Sequence, residues 1–160
     1  MLVILDTEVY RSQRYGYQFS LVCVDLEGLK DLQQSLSCAH YCQPLSELGQ
    51  AFKRELRLLD FAFYYGDGEF MVLLPQTAKE DGQLIARRFH WFFKEASWLE
   101  REGQSVRLPA RVAVVAFPGD GKTKADSLQA IDGAMCLVKN SSADGVVAAE
   151  AGILSPLKIN

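Results

Sequence analysis

Four groups of residues in this chain have the types and spacing to do chemistry. Arg57 and Asp60 stand three residues apart, which at a helix end makes an ordinary i,i+3 ion pair worth about 0.2–0.5 kcal/mol. Cys38-Ala-His40-Tyr-Cys42 gathers three metal-capable side chains in five residues. A structural zinc site needs four ligands, and the other histidine, His90, is far along the chain, so reduced cysteines in a loop are expected. Ala116-Phe-Pro-Gly-Asp-Gly121-Lys122-Thr123 has the outline of a phosphate-cradling loop. Ala116 stands at the first required glycine, however, and Pro118 removes an amide. A turn with Thr123 helping to cap the next helix explains the same residues. Finally, Phe89, His90, Trp91, Phe92 and Phe93 form an aromatic cluster. Helical spacing makes Phe89, Phe92 and Phe93 core residues and leaves His90 and Trp91 for partner contacts.

The chain that carries these groups has 160 residues, 49% of them hydrophobic and 23% charged, which excludes disordered and fibrous classes and suits one domain with a real core. Seventeen basic against twenty acidic residues give a net charge of −3, which argues against a broad phosphate-backbone footprint on DNA or RNA. A small anion held by two or three arginines stays open. The four cysteines are scattered, and Cys23 and Cys136 lie in apolar stretches, so there is no secreted disulfide framework. Met1–Leu5 is stopped by Asp6, too short for a signal peptide or a span, and no apolar run approaches eighteen residues. A cytoplasmic location with no membrane insertion is expected.

The elements that must position the groups follow from periodicity. A helix over residues 2–14 would put Leu2, Leu5 and Val9 on one side. Phe19–Val24 reads as a strand buried on both faces and ends at Asp25. A short helix over 29–36 precedes a clear amphipathic helix carrying Leu45, Leu48, Phe52, Leu56 and Leu59. Strands at 61–65 and 69–74 flank Gly66-Asp67-Gly68, and an Asp-Gly pair there signals a type I′ hairpin, with positive φ at both central residues. A long helix over 78–98, a strand at 111–117, a helix carrying Leu128, Ile131, Met135 and Val138, and a strand at 146–148 complete the order. An α+β fold results, with helices packed on a partly antiparallel central sheet.

On this outline, Arg57-Leu-Leu-Asp60-Phe-Ala-Phe-Tyr-Tyr-Gly66-Asp67-Gly68-Glu69-Phe70 resembles the signature of the GGDEF, or diguanylate cyclase, domain family. Val24-Asp25-Leu-Glu-Gly-Leu-Lys30 is similar to the family's Asp-Ile-Asp-His-Phe-Lys motif. Leu73-Leu-Pro75-Gln-Thr-Ala78, Ile85-Ala-Arg-Arg88 and Ala134-Met-Cys-Leu-Val-Lys139 keep the family's order and spacing, from about residue 5 to residue 149. The resemblance implies a nucleotidyl-cyclase palm-like fold with a mostly antiparallel sheet. The lead-in segment Leu-Thr-Gly-Leu-x-Asn-Arg has no counterpart, so residues 1–160 are expected to be one domain, either excised from a longer protein or with a shortened first helix.

The family joins two GTP molecules into cyclic di-GMP with two metal ions, which requires carboxylates converging on the metals. The resemblance places Asp25 at the metal-binding Asp and Glu69 at the signature's fourth position. The third position, normally an acid, is Gly68, and the acid has moved to Asp67. Period two in a hairpin turns a one-residue shift to the other face, so Asp67 is not expected to replace it. Gln33 and Cys42 stand where the family reads guanine with Asn and Asp. Lys139 fits the phosphate-binding Lys, but Ala143 replaces an Arg. Losing parts that act as a unit removes most of the rate enhancement, so Asp25 and Glu69 are expected to be vestigial, Mg2+ is not expected, and no cofactor is required.

What the resemblance leaves standing is the family's product-binding inhibitory motif, Arg-x-x-Asp, matched by Arg57 and Asp60, with Arg88 as the second arginine from the next helix. The arginine fork can bond O6 and N7 of guanine together. Asp60 can accept from guanine N1–H and the amino group, and Arg88 can stack on a base or pair with a phosphate. The expectation is a degenerate domain that senses cyclic di-GMP without making it and passes occupancy to an adjacent signalling domain or partner protein, with a ligand-linked homodimer as a secondary expectation. The alternatives are a protein-contact scaffold that binds no nucleotide and a weakly active diguanylate cyclase.

Overall fold

The computed structural model describes residues 1–35, 38–95, 97–101, 104–140 and 145–149. Its elements, in order, are α1 (Leu2–Tyr15), β1 (Phe19–Leu26), α2 (Leu29–Ser35), α3 (Cys38–Glu55), β2 (Phe61–Gly66), β3 (Glu69–Leu74), α4 (Lys79–Glu95), β4 (Ser97–Arg101), β5 (Gln104–Arg107), β6 (Ala110–Phe117), α5 (Lys124–Asn140) and β7 (Val146–Ala148).

The central sheet runs β2-β3-β1-β6-β7, and β4 and β5 form a separate hairpin. β1 pairs antiparallel with both β3 and β6, β2 pairs antiparallel with β3, and β7 joins β6 in parallel. The expected α+β, mostly antiparallel sheet is therefore the observed one. Every residue of β1 is buried, because helices cover both faces of the sheet. Alternation along the strands sorts them. Val22, Val24, Phe70, Val72, Val112 and Val114 face Leu48 and Phe52 of α3 and Ile85, Phe89 and Phe93 of α4. Leu21, Cys23, Met71, Leu73, Ala113 and Val115 face Leu5 of α1 and Ile131, Ala134 and Met135 of α5. The result is three layers, with the charged ends of the strands left at one rim.

The turn between β2 and β3 is as tight as its sequence implies. Gly66 pairs with Glu69 across it, and Asp67 and Gly68 both have positive φ, 51° and 89°. Four expectations need correction. Cys38–Cys42, expected in a loop, form the first turn of α3. The amphipathic helix stops at Glu55, so Leu59 lies beyond its end, 70% exposed. The long helix stops at Glu95, and Trp98 belongs to β4; strand pairing with β5 overrides helical periodicity there. His90 is buried rather than available to a partner, with Nδ1 2.8 Å from the Ala110 carbonyl oxygen. Trp91 is exposed, with the Lys94 ammonium 4.7 Å from its ring centroid.

Candidate functional site

Two separate charged surfaces emerge from this frame. The first is a cleft of about 360 Å³ at the rim where β1 ends. Strand register sets Asp25 level with Glu69 of β3 on one side and Arg111 of β6 on the other. Period two points Asp25 to the same face as Cys23, the face that α5 covers. Lys139, in the last turn of α5, reaches into that corner. Its Nζ lies 3.2 Å from Asp25 Oδ2 and 2.7 Å from Glu69 Oε1. Burial pulls the Lys139 pKa down, but the bond to Glu69 and the charges of Asp25 and Glu69 outweigh that and hold it above its ordinary 10.5. Beneath the cleft, burial first and then the charges of Glu69 and Asp25 push the Cys23 thiol up to about 12. Two further pairs cross the cleft, Lys30 with Asp67 at 2.9 Å and Arg111 with Glu27 at 3.1 Å, while Asp31 lines it as an exposed carboxylate.

The second surface is a groove of about 540 Å³ between the end of α3 and the start of β2, lined in part by Lys53, Leu56, Arg57, Asp60 and Ala62. Arg57 and Asp60 are joined there through the backbone. The Arg57 amide donates to Asp60 Oδ2 at 2.8 Å, and the Asp60 amide donates to the Arg57 carbonyl at 3.1 Å. The i,i+3 ion pair expected from residue types is thus replaced by a closed turn in which the carboxylate caps the chain. Arg57 is exposed, and among the described residues its guanidinium has no ion-pair partner. Arg88 does not line the groove. Its Nε lies 3.1 Å from Glu55 Oε2, and its Nη2 donates to the Glu55 backbone carbonyl. The fold therefore brings Arg57 and Asp60 together and anchors Arg88 to the last residue of α3, two positions before Arg57.

Comparison with known proteins decides the family. The family described as "Diguanylate cyclase, GGDEF domain" matches residues 1–144. The chain belongs to the GGDEF domain family. Among curated relatives, this domain is 25% identical over 144 residues to the response regulator PleD of Caulobacter vibrioides, covering 89% of the chain and 32% of that protein. It is 22% identical over 116 residues to diguanylate cyclase DosC of Escherichia coli K12, covering 72% of the chain and 25% of that protein. The chain thus spans about a quarter to a third of the length of these relatives. Diguanylate cyclase SiaD of Pseudomonas aeruginosa, solved in complex with its activator SiaC, superposes with a TM-score of 0.80 at 27% identity, over 92% of this chain and 56% of that one. The GGDEF domain of DgcB from Caulobacter crescentus, solved in complex with c-di-GMP, superposes at 0.77 with 17% identity, over 91% of this chain and 86% of that one.

Membership raises the question of metal, and the residues of the cleft do not fit a two-metal centre. Asp25 and Glu69 converge on one ammonium of the chain itself. Gly68 sits at φ 89°, and a Cβ there would lie 3.1 Å from the Leu26 carbonyl oxygen and 3.3 Å from Leu29 Cβ. Asp67 lines the cleft, so the face-swap expectation does not carry through the turn, where period two lapses. Its carboxylate is nevertheless taken by Lys30. The guanine-reading positions Gln33 and Cys42, the triad Cys38, His40 and Cys42, and Ala143 have side chains outside the described residues.

The 116–123 segment of this GGDEF domain is a capped turn. Asp120 accepts from the Ala116 amide, while Asp126 accepts from the Lys122 and Thr123 amides and donates its own amide to Thr123 Oγ1. That reciprocal cap claims the donors a phosphate would need, and the Lys122 amide is the main influence holding the Asp126 carboxyl below its ordinary value. Sequence reasoning missed Lys53 and Arg111. Lys53 was within reach, four residues before Arg57 at the helical spacing. Arg111 was not, because only the pairing of β1 with β6 sets it beside Asp25. Among the described residues, no helix is long and apolar enough to cross a membrane.

Proposed function

We propose that this domain is a cyclic di-GMP receptor that does not make the molecule, binding it through Arg57, Asp60 and Arg88. The observation that carries the reading is the state of Arg57: an exposed guanidinium beside a carboxylate, over a groove whose volume suits a small ligand. Asp60 is already held in place by the Arg57 amide, so its second oxygen is pre-positioned to accept from a guanine edge. Arg88 reaches the ligand by exchanging its bond to Glu55 for a phosphate, a trade between two anions. Lys53 adds a cation at the same groove. The groove lies opposite the catalytic rim in its chemistry, with positive charge available where the cleft has all of its own engaged.

Catalysis is absent on this reading because the third signature position is Gly68 and the carboxylates Asp25 and Glu69 are vestigial. The domain occupies residues 1–160, acts on the cytoplasmic side, and transmits occupancy to an adjacent domain or partner protein. Two domains sharing one ligand give a ligand-linked dimer. Calorimetric titration with cyclic di-GMP is expected to give a saturable isotherm, and incubation with GTP and Mg2+ no cyclic product by chromatography. No heat on titration leaves the protein-contact scaffold, to which Leu58 and Leu59, 98% and 70% exposed beside the groove, would belong. Robust product formation would overturn the non-catalytic half.

A further inference from the structure

We infer that Lys139 is a built-in counter-cation, standing between Asp25 and Glu69 where a divalent ion would otherwise be held and closing the cleft to such ions. The inference deepens the non-catalytic reading of this cleft and is independent of ligand binding at Arg57. Its basis is geometric. Asp25 and Glu69 are cross-strand partners, a pairing that sets two carboxylates side by side and is destabilising without a cation between them. The Lys139 ammonium supplies that cation at 3.2 Å and 2.7 Å. The lysine is not a roaming surface group. Val138 and Met135 beside it are buried against the sheet, so its Cα is fixed, and its ammonium stays at the carboxylates at high effective concentration.

A divalent ion entering this corner meets three obstacles. It must displace an ammonium that then stays close by as a like charge. It finds two carboxylates and no acid at position 68, where a hard cation wants six or more oxygens. Of the other carboxylates lining the cleft, Asp67 and Glu27 are held by Lys30 and Arg111, which leaves only the exposed Asp31 beside the two that Lys139 occupies. Lys139 thus takes over the charge compensation that a metal would provide and needs no metal supply to do it.

The test is a titration with Mn2+ alone, read as loss of the free-ion electron paramagnetic resonance signal. The full chain is expected to bind no Mn2+ at Asp25 and Glu69. Lys139→Met, which keeps the stem and removes the charge, is expected to gain Mn2+ binding at least about tenfold tighter, the scale on which a neighbouring group tunes a metal site. Adding Glu69→Gln to that variant should abolish the gain, and Lys139→Arg should remain closed. Equal Mn2+ affinity in wild type and Lys139→Met, or no gain in a Lys139→Met protein with native circular dichroism, would overturn the inference. Should Lys139→Met fail to fold, wild type decides: Mn2+ binding that Asp25→Asn removes sinks the idea, and no such binding upholds it. The outcomes separate the two readings, since Mn2+ uptake without product from GTP defeats only the counter-cation, whereas product from GTP defeats the non-catalytic reading itself.

Discussion

The cleft at the end of β1 and the groove at the end of α3 hold similar residues in opposite states. In the cleft, Asp25 and Glu69 share Lys139, Asp67 takes Lys30, and Glu27 takes Arg111. In the groove, Asp60 is spent on a backbone amide and the Arg57 guanidinium faces solvent. Exposed ion pairs contribute little to stability, so the difference is not mainly about holding the fold together. It concerns availability: a cation already neutralised by the chain has little left for a ligand, while an unpaired guanidinium on a preformed turn loses only water when a ligand arrives. A charged surface is therefore judged by which of its charges remain uncompensated rather than by how many it carries.

The largest effect should come from the residue that supports both surfaces. Phe52 of α3 packs 4.6 Å from Phe70, 5.3 Å from Phe89 and 4.9 Å from Phe93 between ring centroids, and it is fully buried. Phe70 follows Glu69 of the cleft, and α3 leads into the groove. Phe52→Ala is expected to cost about 3–5 kcal/mol in urea unfolding and to weaken both sites at once. Leu59→Ser, on the same predicted helical face but beyond the observed helix end, should change stability by less than about 0.5 kcal/mol. Equal losses at the two positions would contradict the helix boundary.

Next in size is the substitution that separates the two surfaces. Arg57→Ala removes two charge-assisted bonds to guanine and should weaken cyclic di-GMP binding by roughly 100-fold or more. Arg57→Lys should recover little, because an ammonium cannot reproduce the fork. Asp25→Asn and Glu69→Gln should leave that affinity unchanged within about twofold, as distant sites without shared partners behave independently. Calorimetry on the four variants reads the comparison directly, and a loss on altering the cleft would show that the surfaces are coupled.

How much of this was legible depends on whether a feature is local. The Asp67-Gly68 turn, the capped 116–123 segment and the buried run of β1 follow from residues close in sequence, and all three appear in the fold. The α3 boundary did not follow, because Leu59 keeps helical spacing while the Arg57–Asp60 turn has already redirected the chain. The hairpin of β4 and β5 was hidden by aromatic residues that extend the helical pattern of α4 as far as Trp98. In the cleft, Lys139 was recognisable as a family position but its contact with Asp25 and Glu69 was not. That contact joins residues 114 and 70 positions apart, and only the packing of α5 on the sheet creates it.

A smaller effect comes from returning the missing acid to the cleft. Gly68→Asp places a side chain at φ 89° with its Cβ against the Leu26 carbonyl, which is expected to cost about 1–3 kcal/mol and to leave the domain without cyclase activity. Restored activity at full stability would show that the turn relaxes around an acid.

The smallest effect is the pH dependence of the Lys139 contact. Its pKa is higher in the folded chain than the ordinary 10.5, so the folded state holds the proton more tightly than the unfolded state does. The sign follows by linkage. The contribution of Lys139 is fully present below its unfolded pKa and is lost as pH rises from there through the folded value. Wild type should therefore lose stability relative to Lys139→Met as pH passes upward through that window, and the two should run parallel below it. Because other lysines and tyrosines titrate in both proteins, the difference between their urea midpoints isolates this one group. Lys139 is partly exposed, with a side chain 37% accessible, so solvent screening keeps the difference small. Curves that stay parallel right through that window would show that the charge on Lys139 contributes nothing to the folded state, and would make the lysine a bystander rather than the cation that holds the cleft together.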